Sequence, residues 1–139
     1  MDKKAESILE GTIIYIILLI LFAAPLAYFV WNQYNGASTW ADFYAKEISR
    51  VVNLAEPGDE VSIDVQTGTE VAVKNKIPSL NDIFTFDNAK NEICVKLAPG
   101  RKSCYYYFNE VDVVDWKIDR GLARGEVNTL TFQIKGAAK

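Results

Sequence analysis

The sequence predicts an α+β protein: an N-terminal transmembrane helix, an amphipathic helix, then an antiparallel β-sheet or small sandwich head of six to seven strands. Three observations carry this expectation. Residues 12–31, TIIYIILLILFAAPLAYFVW, contain no charge. Residues 38–58 repeat apolar side chains every three or four positions. From Glu60 onward the apolar period falls to two, the alternation of half-buried strands.

The first element is set by the bilayer. Twenty helical residues rise about 30 Å, the thickness of its hydrocarbon core. Neither Asp, Glu, Lys nor Arg occurs from Gly11 to Ala41. Tyr28, Trp31 and Tyr34 stand where an aromatic belt meets the headgroups. Pro25 predicts a kink rather than a break, because membrane helices re-satisfy the freed carbonyl locally. Ala23, Ala24 and Ala27 offer a small-residue face on which another helix can pack closely. They are equally compatible with a solitary kinked helix. A cleaved signal would have a shorter apolar core and a small-x-small site. Here the best sites, around Ala24 or Ala27, place Phe22 or Pro25 at the −3 position. A buried core helix is disfavoured because this segment has no polar face. The reading is a retained anchor.

Orientation follows the basic residues. Lys3 and Lys4 flank the span on its short side, whereas Lys46 and Arg50 are the first on the long side. That bias places the amino terminus in the cytoplasm. The expected organisation is a short cytoplasmic segment (1–11), a transmembrane helix (12–31), a linker (32–39) and an extracytoplasmic domain (40–139). The expected location is the plasma membrane, with the head at the cell surface.

STWADFYAKEISRVVNLAEPG predicts the second helix. Thr39 with Asp42 three residues on has the form of a capping box. Trp40, Phe43, Tyr44, Ile48, Val51, Val52 and Ala55 form an apolar stripe; Asp42, Lys46, Ser49, Arg50 and Asn53 lie opposite. Pro57-Gly58 ends it. The stripe is expected to cover the sheet, with a neighbouring subunit or the membrane surface as the other possible contact.

Strands are predicted at EVSIDVQ, TEVAVKN, DIFTF, EICVKL, SCYYYF, VDVVDWKID and NTLTFQIK, with Gln66-Thr67-Gly68 turning a hairpin between the first two. In VDVVDWKID the apolar phase changes from Val111 and Val113 to Val114, Trp116 and Ile118. This predicts a bulge near Val113-Val114 or a strand passing between sheets. Helix and strand do not alternate along the chain, which argues against a parallel nucleotide-binding sheet.

CVKLAPGRKSC is the most specific local signal. Pro99 is equidistant from Cys94 and Cys104, so a turn at 98–101 brings the two cysteines opposite each other, within disulfide reach. Cys94 alternates with Ile93, Val95 and Leu97, which favours a staple on the hairpin's outer face over a pair of free thiols. Two thiols without a histidine do not complete a tetrahedral metal site.

The chain has no histidine, and therefore no Ser/His/Asp or Cys/His nucleophile system. It contains no phosphate-binding glycine loop and no nucleophile elbow. Carboxylates at short spacing, such as Asp112 with Asp115 or Asp82 with Asp87, read as solvated charge. CYYYF could stack on sugars or bases, but aromatic strand residues more often fill a sheet. A net charge of −3 opposes nucleic-acid binding. Neither a cofactor nor a catalytic residue is expected.

ILLILFAAPLAYFVWNQY resembles the stem of type IV pilins and pseudopilins, and Glu10-Gly11 before Thr12 resembles a prepilin peptidase site. Ile16 stands where pilins carry a glutamate. FYAKEISRVVNLAEPGDEVSIDV and EICVKLAPGRKSCYYYFNEVDVV are similar to small uncharacterised single-pass membrane proteins of archaea. These resemblances imply an anchored head of structural or assembly role. Expected partners are the lipid bilayer and copies of the chain or other envelope subunits. A solitary tethered binding module is the alternative.

Overall fold

A computed structural model describes the backbone of residues 3–34 and 36–138, and the side chains of residues 11–30 and 36–138. The chain divides into two compact units, residues 1–35 and 36–139. The first holds α1 (Lys3–Tyr34), a 32-residue helix that contains Pro25. Its stretch Gly11–Val30 is long and apolar enough to cross a membrane.

The second unit is an α+β head. It opens with α2 (Ala37–Leu54), followed by β1 (Glu60–Asp64), α3 (Gln66–Lys74) and a single 3-10 turn at Leu80–Asp82. Then come β2 (Phe84–Asp87), β3 (Glu92–Ala98), β4 (Arg101–Tyr106), β5 (Val111–Asp119) and β6 (Thr129–Gly136). The strands form two antiparallel three-stranded sheets, ordered β1-β6-β5 and β2-β3-β4. Phe86 of β2 meets Phe132 of β6 and Trp116 of β5, with ring centroids 5.6 and 5.7 Å apart, and so joins the sheets. Ile93, Val95, Leu97, Leu130, Phe132 and Ile134 are buried in one core with Ile48 and Val52 of α2. Burying an aliphatic or aromatic side chain of this size contributes about 1.5–3 kcal/mol before entropy is charged against it.

α2 packs on β3 and β4. Ala37, Ala41, Tyr44, Ala45, Ile48, Ser49 and Val52 form its buried face. That face is rotated from the expected stripe. Ser49, placed on the polar side by periodicity, is 6% exposed and donates its hydroxyl to the Tyr106 carbonyl at 2.8 Å. Trp40 and Phe43 remain partly exposed, at 36% and 50%. The cause is size: Ala41, Ala45 and Ser49 let the helix approach closely, and bulky rings there would hold it off. The last helical carbonyls are satisfied across the fold, since Asn109 Nδ2 donates to Val52 and Ala55 at 2.9 and 2.8 Å.

Four further expectations need correction. The capping box at Thr39 does not form. Gly36 caps α2 at φ 60°, and its carbonyl accepts from Trp40 N–H at 2.8 Å. A left-handed residue suits glycine, so the helix restarts there and encloses Thr39. The linker expected over 32–39 accordingly shrinks, with α1 ending at Tyr34 and α2 beginning at Ala37.

TEVAVKN is helical rather than extended, and Gln66-Thr67-Gly68 is the first turn of α3 instead of a hairpin turn. Two valines in alternation suit either structure, and here Gly68, Thr69, Val71 and Ala72 point inward while Val73 is 65% exposed. Gln66 Nε2 to Glu70 Oε1 at 2.7 Å is an i,i+4 bond that only a helix allows. The described strands therefore number six, in two sheets.

The bulge in β5 lies beyond Val113-Val114. Val114 pairs with Gln133 and Lys117 with Thr131, so Asp115 and Trp116 oppose Phe132 alone. Asp115 takes φ 52°, and the shift returns Trp116 and Ile118 to the core side.

Candidate functional site

Three regions could carry function, and the first is the apolar stretch of α1. Every described side chain from Thr12 to Val30 is exposed within its unit, Leu18 at 43% and Tyr15 at 76% among them. A twenty-residue apolar surface with no protein cover is stable in hydrocarbon and unfavourable in water. Tyr28, at the far end, is 72% exposed. Trp31 and Tyr34, the other expected anchors, lie outside the described side chains. Ala23, Ala24 and Ala27 are exposed, and Ala23 helps form a shallow apolar depression with Leu19, Phe22 and Leu26.

The second region is the β3–β4 hairpin. Cys94 pairs directly with Cys104, their alpha carbons 4.1 Å apart and their sulfurs 2.10 Å apart, at disulfide distance. Ala98 pairs with Arg101, leaving Pro99 and Gly100 as a two-residue turn. Cys94 shares a face with its partners Thr85 and Cys104, opposite Ile93 and Val95. It is nevertheless only 5% exposed. A central strand shields its own outward residues with cross-strand neighbours, which the alternation of one strand does not reveal. Glu92, Cys94 and Cys104 are the only cluster of three residues of metal-ligating type found among the described residues. Sulfurs bonded to each other offer no thiolate, so this is not a metal centre.

The tyrosines beyond Cys104 separate. Tyr105 donates its hydroxyl to Asp42 Oδ1 at 2.7 Å, while Lys46 Nζ reaches Asp42 Oδ2 at 2.8 Å and lies 5.2 Å from the Tyr105 ring centroid. The lysine and tyrosine hydrogen bonds hold the Asp42 carboxyl below its usual range, and Asp42 in turn raises Lys46. Tyr107 is 2% exposed and donates to Asn88 Oδ1 at 3.1 Å. Only Tyr106 and Phe108 point to solvent, so CYYYF forms no continuous stacking surface. Asp87 and Asp115 each face a lysine on the surface, Lys90 at 3.4 Å and Lys135 at 3.6 Å.

The third region is an open groove beside α3 of about 410 Å³, lined by Thr69, Glu70, Val73, Leu80, Arg120 and Asn128 among others. Its exposed lining is mainly apolar, and Glu70, Lys74 and Arg120 are the charged residues along it. Sequence reasoning missed it because it depends on α3 being helical; the Glu70–Lys74 spacing was the signal for that.

Comparison of the chain with protein-family models, curated proteins and solved structures yields no match.

Proposed function

We propose that this chain is a membrane-anchored structural or assembly subunit, with its amino terminus in the cytoplasm and its head on the extracytoplasmic side. The carrying observation is the bare apolar surface of Gly11–Val30 joined to a separately packed head. Such a surface is buried at low cost by lipid, by copies of itself, or by both. The proposed role is non-catalytic and pilin-like in layout, that of a filament or envelope-complex subunit. Its support is the absence of histidine and the engagement of Asp42, Asp87 and Asp115 with lysines.

Protease added to intact cells tests the topology. The head is digested if it lies outside; protection that ends only on lysis reverses the orientation. Particle size in mild detergent, read with the mature amino terminus, tests the assembly. A strictly monomeric particle with intact Met1 opposes it. The α3 groove favours the second reading, a solitary tethered binding module, and that outcome would leave the module standing.

A further inference from the structure

We propose that β1 of one copy pairs antiparallel with β4 of another, so that heads join edge to edge in a head-to-tail row. This rests on the assembly reading and names the surfaces that would carry it. β1 and β4 are each the outer strand of a sheet. The remaining edges, β2 and β5, are tied to each other by Asn88, which donates to Val113 O at 3.0 Å and accepts from Val113 N–H at 2.9 Å.

Ladder alternation shows which backbone groups are outward. Ile134 N–H reaches Asp59 O at 2.9 Å and Val65 N–H reaches Asn128 O at 2.8 Å, so Val61 and Ile63 bond to β6. Glu60, Ser62 and Asp64 therefore turn their N–H and C=O groups away from the sheet. On β4, Tyr107 N–H bonds Asn91 O at 2.9 Å, which assigns Tyr105 and Ser103 to β3 and turns Cys104 and Tyr106 outward. β3 shifts register between Val95 and Ala98, and Lys102, between Ser103 paired with Val95 and Arg101 paired with Ala98, keeps the outward alternation of its own strand. Ser49 occupies the Tyr106 carbonyl; the groups of Lys102 and Cys104 remain.

The two edges match in register and in charge. Setting Ser62 opposite Cys104 brings Asp64 opposite Lys102 and puts the solvent faces of both strands on one side, because the side chains of 60, 62, 64, 102 and 106 are all exposed. Residues 56–64 carry Glu56, Asp59, Glu60 and Asp64 without a basic residue, whereas 99–106 carry Arg101 and Lys102 without an acidic one. Charged edges block pairing between like edges. Opposite signs on the two edges block β1–β1 and β4–β4 contacts and leave β1–β4 favoured. Such a contact is heterologous and extends as an open row.

The test uses the full chain in mild detergent, mixing nitrogen-15-labelled and unlabelled copies. A zero-length carbodiimide cross-linker should yield an Asp64–Lys102 peptide pair of mixed isotope. Arg101→Glu with Lys102→Glu should reduce the assembled fraction about ten-fold at low salt, and adding Glu60→Lys with Asp64→Lys should restore it. If particles persist after reversal and no β1–β4 link forms, the proposal is overturned while assembly through α1 survives. A wild-type chain that stays monomeric at every concentration overturns both. Should the reversed variant misfold, the wild-type cross-link decides alone.

Discussion

Gly68 in the first turn of α3 lies against the ring of Tyr44 from α2. A Cβ at residue 68 would stand 2.7 Å from Tyr44 Cε2, and Gly68 N–H donates to the Tyr44 hydroxyl at 3.3 Å. Trp40 and Phe43 flank the ring at centroid distances of 6.0 and 5.4 Å, so it moves only by displacing them. Gly68→Ala is expected to destabilise the head by about 1–3 kcal/mol through overpacking, although alanine is the better helix former. Denaturant midpoints of the full chain in detergent measure it. Adding Tyr44→Leu should recover part of the loss, and a stabilising Gly68→Ala would show that the helices separate freely.

Ile48 and Val51 both belong to the apolar stripe of α2, yet their burial differs. Ile48 is 0% exposed, whereas Val51 lies partly in solvent. Ile48→Asp buries a carboxylate without a partner and should cost about 3–5 kcal/mol. Val51→Asp should cost distinctly less. The same denaturation assay reads both, and equal losses would place Val51 against a cover that the isolated chain lacks.

The Cys94–Cys104 bond closes a short loop, with a sequence separation of 10. Its reduction should lower head stability by about 2–3 kcal/mol on the chain-entropy account. Mass spectrometry of non-reduced peptides from freshly prepared protein should show the linked pair. Two freely alkylated thiols would mean that the native compartment keeps them reduced.

Sequence legibility tracked the distance over which each feature is decided. The β3–β4 hairpin is local: the symmetric cysteines point to their own pairing, although the turn pairs Ala98 with Arg101 and a register shift between Val95 and Ala98 is what brings Cys94 opposite Cys104. The phase change in β5 likewise announced a bulge, one or two residues early. α3 reads as a strand because two valines at a spacing of two are too short a pattern to fix the period, while a helical contact comes from the hydroxyl of Tyr44, 24 residues away from Gly68 in sequence. Ser49 was misplaced because its hydroxyl is satisfied by Tyr106, 57 residues away. The pairing of β1 with β6 spans most of the head, and no strand's own pattern states its neighbour. Free edges are legible only after that order is known.

Alkaline pH should unfold the head through two tyrosines. Tyr44 has its phenol pushed above the usual range by burial. Tyr107 is raised by burial first, then by the nearby negative charges of Asp112 and Asp87. The sign follows from linkage: the folded chain holds both phenolic protons after the unfolded chain has begun to release them. Stability from these groups is therefore complete below the ordinary tyrosine value of about 10, and it is lost as pH rises through the higher folded values. Tyr44→Phe and Tyr107→Phe remove the titrating group, and each also loses a hydrogen bond, to Gly68 N–H or to Asn88 Oδ1. Each variant should be weaker than the parent at pH 8 and should decline less steeply towards pH 11. Urea midpoints of the full chain in detergent across that interval supply the comparison. An unchanged slope in both variants would move the alkaline transition from these tyrosines to the lysines.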